Sequence, residues 1–167
     1  MGVVLFVLSV LNLSAFSLDE SISLGMTESE LLEITNAVKV DIDAGRGHGY
    51  TEFSEENPVV YIDNAQHEKK EYYFHGGQLY KVMTIFRDRV NDASYYQEKL
   101  SELEQRFGEP SRKFSDHVFS LVVLHAVWEN EHEELDLRFG AGYVHAVITN
   151  KALRKDKVQK DLYKKAI

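Results

Sequence analysis

Three acidic side chains in one short run are the first candidates for chemistry. In "DIDAGRGHGYTE", Asp41, Asp43 and Glu52 hold places one, three and twelve, the spacing at which a calcium loop presents its oxygen ligands. Place five is Gly45, which offers no side-chain ligand, and place six, where such a loop turns on glycine, is Arg46. Gly45, Gly47 and Gly49 do not make a phosphate cradle either. No Lys-Ser/Thr pair follows them, and the preceding "VKVDID" reads as a strand rather than the helix of a calcium-binding hand. The run is expected to be a loop in which glycine supplies backbone freedom. A second acidic run, "ENEHEELD" (Glu129–Asp136), sets His132 among four glutamates. Loops 41–52 and 129–136 are the two places where a small ligand or divalent cation would bind, although Lys69 and Lys70 neutralise the related run "DNAQHEKKE".

Nucleophilic chemistry has one candidate, "FSDHVFS", with Ser115, Asp116 and His117 in succession. On a strand Ser115 and His117 share a side and Asp116 points away, whereas a triad needs its base oriented by a third group. The chain has no Gly-x-Ser-x-Gly elbow and no His-Glu-x-x-His pair. It has no cysteine, so thiolate catalysis, disulfides and cysteine zinc sites are excluded. These observations predict a non-enzymatic protein with no cofactor and no dedicated metal.

The elements that position these residues come in a repeated order. "GMTESELLEITN" (Gly25–Asn36) predicts a short helix, with Thr27 as N-cap, Glu30 completing a capping box and Asn36 as the stop. "NDASYYQEKLSELEQRFGEP" (Asn91–Pro110) predicts a longer one with the stripe Tyr96, Leu100, Leu103, Phe107, ended by Gly108 and Pro110. Each helix precedes strands, a polar His-Glu loop and a glycine hairpin. Asn64 parallels Asn130, His67 parallels His132, Glu68 parallels Glu133, and "HGGQ" parallels "FGAG", at a period of roughly 64–72 residues. The expected fold class is α+β: two related helix-on-antiparallel-sheet units in tandem, spanning 18–90 and 91–150, plus a C-terminal basic helix at 151–167.

Strand parity then selects a surface. Leu135, Leu137 and Phe139 alternate with Asp136 and Arg138, and Val144, Ala146 and Ile148 alternate with Tyr143 and His145. In the first unit Tyr72 and Phe74 face the core and leave Tyr73 and His75 outward. The expected partner-binding face therefore carries Tyr73, His75, Arg138, Tyr143 and His145. Lys81 and His125 join it, from strands whose two sides are similarly apolar. Aromatic and arginine side chains are the usual anchors of protein interfaces.

Residues 1–17, "MGVVLFVLSVLNLSAFS", contain no charged side chain, and an apolar run from Val3 to Leu11 is followed by Ala15 and Ser17 at the small-x-small spacing of a leader-peptidase site. The run is short for a bilayer span and fits a secretory leader, with the mature chain starting near Leu18 and exported, in a bacterium to the periplasm. The 167-residue chain has a net charge of −8; the tail 151–167 contributes +5, which leaves −13 on the rest. So acidic a body repels nucleic-acid phosphates. The basic tail, with Leu153, Val158 and Leu162 roughly on one side, either docks on the acidic body or contacts an anionic membrane surface.

"LGMTESELLEI", and "LEQRFGEPS" followed by strands and "VWEN", resemble the BamE/SmpA/OmlA family of outer-membrane assembly proteins and the related β-lactamase inhibitor proteins. The pattern covers most of the chain beyond the leader, though the lipid-bearing cysteine of the first group and the disulfides of the second are missing. The resemblance implies an exported binding module that engages a protein or cell-envelope component. It transfers no contact residue.

Overall fold

The computed structural model describes residues 16–40, 59–87, 92–118 and 121–155. Residues 41–52, expected as an acidic glycine loop, residues 1–15 of the expected leader, and the tail from 156 onward lie outside them.

Local chemistry sets both helix starts. In α1 (Glu28–Ile34) Thr27 Oγ1 accepts from the Glu30 N–H at 3.3 Å, and the Glu30 carboxylate accepts the Thr27 N–H at 2.7 Å. In α2 (Ala93–Phe107) Asp92 accepts from the Tyr95 N–H at 3.0 Å, and Gly108 ends the helix at φ 80°. The strands are β1 (Val38–Val40), β2 (Val59–Asn64), β3 (Glu68–His75), β4 (Gln78–Phe86), β5 (Arg112–Val118), β6 (Leu121–Glu129), β7 (Glu133–Gly140) and β8 (Tyr143–Asn150). They form one antiparallel sheet of eight strands in the order β1-β2-β3-β4-β8-β7-β6-β5.

That sheet overturns the expected class. The chain is not two helix-on-sheet α+β units in tandem. Strand takes 50% of the described residues and helix 23%, and the helices are short. The reason lies in one seam. β4 and β8 pair from Lys81–Thr149 to Ile85–His145, so the last strand of each four-strand meander satisfies the open edge of the other. Of the tail, only 151–155 is described, as a short helix capped by Asn150, whose Oδ1 accepts from the Ala152 and Leu153 N–H groups.

Backbone features recur within this single sheet at a separation of 65 residues. The N-caps are Thr27 and Asp92. Ala65 N–H donates to Glu68 C=O as Asn130 N–H does to Glu133 C=O, both at 3.0 Å. The hairpin turns have matching positive φ, 58° and 78° at Gly76–Gly77 and 52° and 76° at Ala141–Gly142. In this register Asn130 corresponds to Ala65 rather than Asn64, while His67/His132 and Glu68/Glu133 coincide.

The first face of the sheet is covered by the helices. α2 lays Tyr95, Tyr96, Leu100 and Leu103 on Ala126, Trp128, Leu135, Leu137, Val144, Ala146 and Ile148. α1 sets Leu31 among Tyr61, Tyr72, Phe74, Leu79 and Val82. Between the helices runs a strap, residues 16–26. Phe16 and Leu18 pack on the α2 cluster, Ile22 on the α1 cluster and Leu24 on both. Lys70 Nζ ties the strap down at 2.9 Å from Asp19 Oδ2 and 3.0 Å from Glu68 Oε1. The Asp19 carboxyl falls to about 2, chiefly through the Lys70 hydrogen bond. The second face carries a smaller cluster of Val60, Tyr73 and Tyr80, with Ile62, Met83 and Leu153 against it.

Candidate functional site

Strand parity puts all seven expected partner-binding residues on the second face, opposite the helices, but not all of them meet water. Tyr73 is only 2% exposed and His145 only 8%, which corrects the expectation that both are open. The cause is the neighbours across the strands. Tyr73 lies among Val60, Tyr80 and Met83, with Lys81 Nζ 3.8 Å above its ring. His145 sits beside Arg138 on β7 and Ile85 on β4.

Four of the seven come together. Tyr73, Lys81, His125 and Arg138 line a cleft of about 280 Å³ that crosses the seam from β3 to β5. His75 and Tyr143 stand near the hairpin turns outside it; Tyr143 is exposed and its ring stacks on His145 at 6.1 Å.

Asp136 organises the cleft. It is buried, and its Oδ2 accepts the Arg138 Nε–H at 2.7 Å. His125 Nδ1 lies 3.2 and 3.1 Å from the two Asp136 oxygens. The His125 ring stacks on Phe114 at 4.5 Å with only 3° between planes. One buried carboxylate thus orients both a guanidinium and an imidazole, and the imidazole in turn holds an aromatic ring at the lip. Asp136 is not among the expected partner-binding residues, because in sequence it closes the acidic run 129–136. Its alternation with Leu135 and Leu137 was the available signal. Phe114 and Arg112 share their side of β5 with Asp116, a parity that could have found them.

A second carboxylate closes the rim. Glu134 Oε2 lies 3.3 Å from Arg112 Nη2, and its Oε1 lies 3.3 Å from Arg154 Nη1. The cleft therefore gathers Lys81, Arg112, Arg138 and Arg154 against Asp116, Glu134 and Asp136. That balance is reversed relative to the whole chain, which carries 27 acidic and 19 basic side chains.

Farther along the second face, burial first and Arg138 second push the His145 imidazole down to about 4, against an upward pull from Glu71. Glu71 is buried as well, paired with Lys69 Nζ and accepting the Tyr73 hydroxyl. Burial and that carboxylate hold the Tyr73 hydroxyl well above the ordinary phenol range.

The acidic run 129–136 does not converge on a cation. Glu133 faces the helices while Glu134 and Asp136 face the cleft, and Glu129 is engaged by Lys151 at 3.0 Å. Among the described residues no group of three His, Asp or Glu side chains could hold a metal ion. Ser115, Asp116 and His117 are exposed on β5, and the Asp116 carboxylate accepts the His117 N–H at 2.6 Å. Among the described residues no hydroxyl is hydrogen-bonded to His125, whose carboxylate partner would otherwise suit a general base.

Compared with known proteins, the chain matches no family model, no curated protein and no solved structure.

Proposed function

We propose that this chain is an exported, non-enzymatic binding module that engages a protein or cell-envelope partner through the second face of its sheet. The observation that supports this reading is the Asp136-anchored cleft. Its guanidinium and aromatic groups are held by buried partners, so little side-chain freedom remains to be lost on binding. Arginine and aromatic side chains are the usual anchors of an interface, and the cleft presents both in a mixed polar and apolar lining. The cationic excess in an otherwise acidic chain favours a partner that presents an acidic group to the cleft, and it disfavours indiscriminate association. The resemblance of "LGMTESELLEI" and "LEQRFGEPS" to outer-membrane assembly proteins points to the same class of function.

Phe114 and Leu32 allow a matched test, because both are 45% exposed and stand on opposite faces. A photo-crosslinking amino acid at Phe114 is expected to capture a discrete partner from envelope extract, and the same group at Leu32 is not. Arg138→Ala should remove the Phe114 adduct. Equal capture from both positions, or an adduct indifferent to Arg138→Ala, removes the assignment.

A further inference from the structure

We propose that the leader is removed by hydrolysis of the Ala15–Phe16 bond, and that the α-ammonium freed on Phe16 is captured by the buried carboxylate of Glu133. The proposal rests on the export reading and goes beyond it by fixing the new terminus and giving it a structural role.

The geometry begins with a hydrogen bond across 117 positions of sequence, in which the Phe16 N–H donates to Glu133 Oε2 at 2.8 Å. Glu133 is 8% exposed and lies on the helix-covered side of β7. Three carboxylates are buried among the described residues. Glu71 has Lys69 and Asp136 has Arg138, whereas no Lys or Arg ion pair reaches Glu133 among those residues. Its only side-chain donor there is a neutral peptide N–H. A buried anion without a cation is costly, and converting that N–H into an ammonium at the same place supplies the missing charge.

The strap decides where the cut falls. The Phe16 ring meets Phe107 edge-on at 5.4 Å and packs on the α2 cluster together with Leu18. A chain starting at Leu18 would lose this ring and leave the Glu133 side chain without its donor. A chain starting at Phe16 keeps both. A small residue, Ala15, stands directly before this bond, but Leu13 occupies the third place before it, whereas the small-x-small pair Ala15 and Ser17 would set the cut after Ser17. The choice of Phe16 therefore rests on its contacts with Glu133 and Phe107. Water adds across the amide: the Ala15 carbonyl leaves as a carboxylate, and the Phe16 nitrogen takes up protons as an ammonium. The catalyst is a leader-removing peptidase of the export route.

The full chain, leader included, is expressed in a secreting bacterial host, and the exported protein is examined by intact mass and N-terminal sequencing. A start at Phe16 is expected. Exported protein starting at Leu18 or elsewhere overturns the inference and leaves export standing. Unexported protein that keeps its leader overturns both. Capture is read from amine acylation at pH 7. A free α-amine titrates near ~7.7–8.0, and a carboxylate partner raises it, so about tenfold slower labelling corresponds to about one unit. Slow labelling is expected for the chain starting at Phe16, and fast labelling for its Glu133→Gln variant and for a chain retaining Ala15. Equal rates in all three overturn the capture.

Discussion

Asp136 and Arg138 stand two residues apart on one side of β7, with the Arg138 Nε–H donated to Asp136 Oδ2 at 2.7 Å. The pair divides two roles. Asp136 is buried, whereas the Arg138 side chain keeps 28% of its surface exposed, so the carboxylate belongs to the interior and the guanidinium reaches the cleft.

Asp136→Asn should therefore cost about 1–3 kcal/mol, because Arg138 and His125 both lose a charged acceptor in a buried place. Arg138→Ala should cost at least as much stability, since it leaves the buried Asp136 carboxylate without its cation, and should also abolish partner capture. Chemical denaturation and crosslinking measured on both variants check this division. A smaller stability loss for Arg138→Ala than for Asp136→Asn contradicts it.

His145 predicts an acid limb in stability. Its imidazole titrates near 4 in the fold against 6.5 in the free state, so between these values the unfolded chain holds more protons. Stability is then complete above about 6.5, declines as the pH falls toward about 4, and loses nothing further from this residue below that. The gap corresponds to roughly 3 kcal/mol. Denaturation curves at pH 7.5 and 4.5 should differ by less in His145→Gln than in the parent chain. An unchanged difference rules out His145 as the source.

Gly140 is held small by packing. An added Cβ would stand 2.9 Å from Val123 Cγ2 and 3.3 Å from its Cγ1, across the β6–β7 pair. Gly140→Ala should destabilise by about 1–3 kcal/mol through overpacking. Val123→Ala in the same chain should recover part of the loss, giving a coupling of at least about 0.5 kcal/mol in a double-mutant cycle. Strictly additive effects would show that the clash relaxes elsewhere.

Trp128 couples α2 to the sheet. Its indole N–H donates to the Gly108 carbonyl at 2.7 Å, at the residue where the helix ends. Trp128→Phe should cost about 1–3 kcal/mol from lost volume and an unsatisfied carbonyl. Hydrogen exchange should also quicken in the last turn of α2. Unaltered exchange there would separate the indole from helix anchoring.

Several features were legible because they depend on residues two to four places apart. Thr27 and Glu30 make the capping box that their spacing announces. Gly108 ends α2 where its sequence places a stop. The alternation of Leu135, Asp136, Leu137 and Arg138 gives each side chain its face, since a strand permits no other period.

Tertiary structure alone decided what those faces meet. The β4–β8 seam turned two expected units into one sheet, because a strand's own pattern does not name the edge that completes it. Burial of Tyr73 and His145 came from Val60, Tyr80, Ile85 and Arg138, brought beside them by pairing between distant strands. The Asp136 hub and the contact of Phe16 with Glu133 have the same origin: a charge's partner is chosen by proximity in the folded chain, and local periodicity carries no information about it.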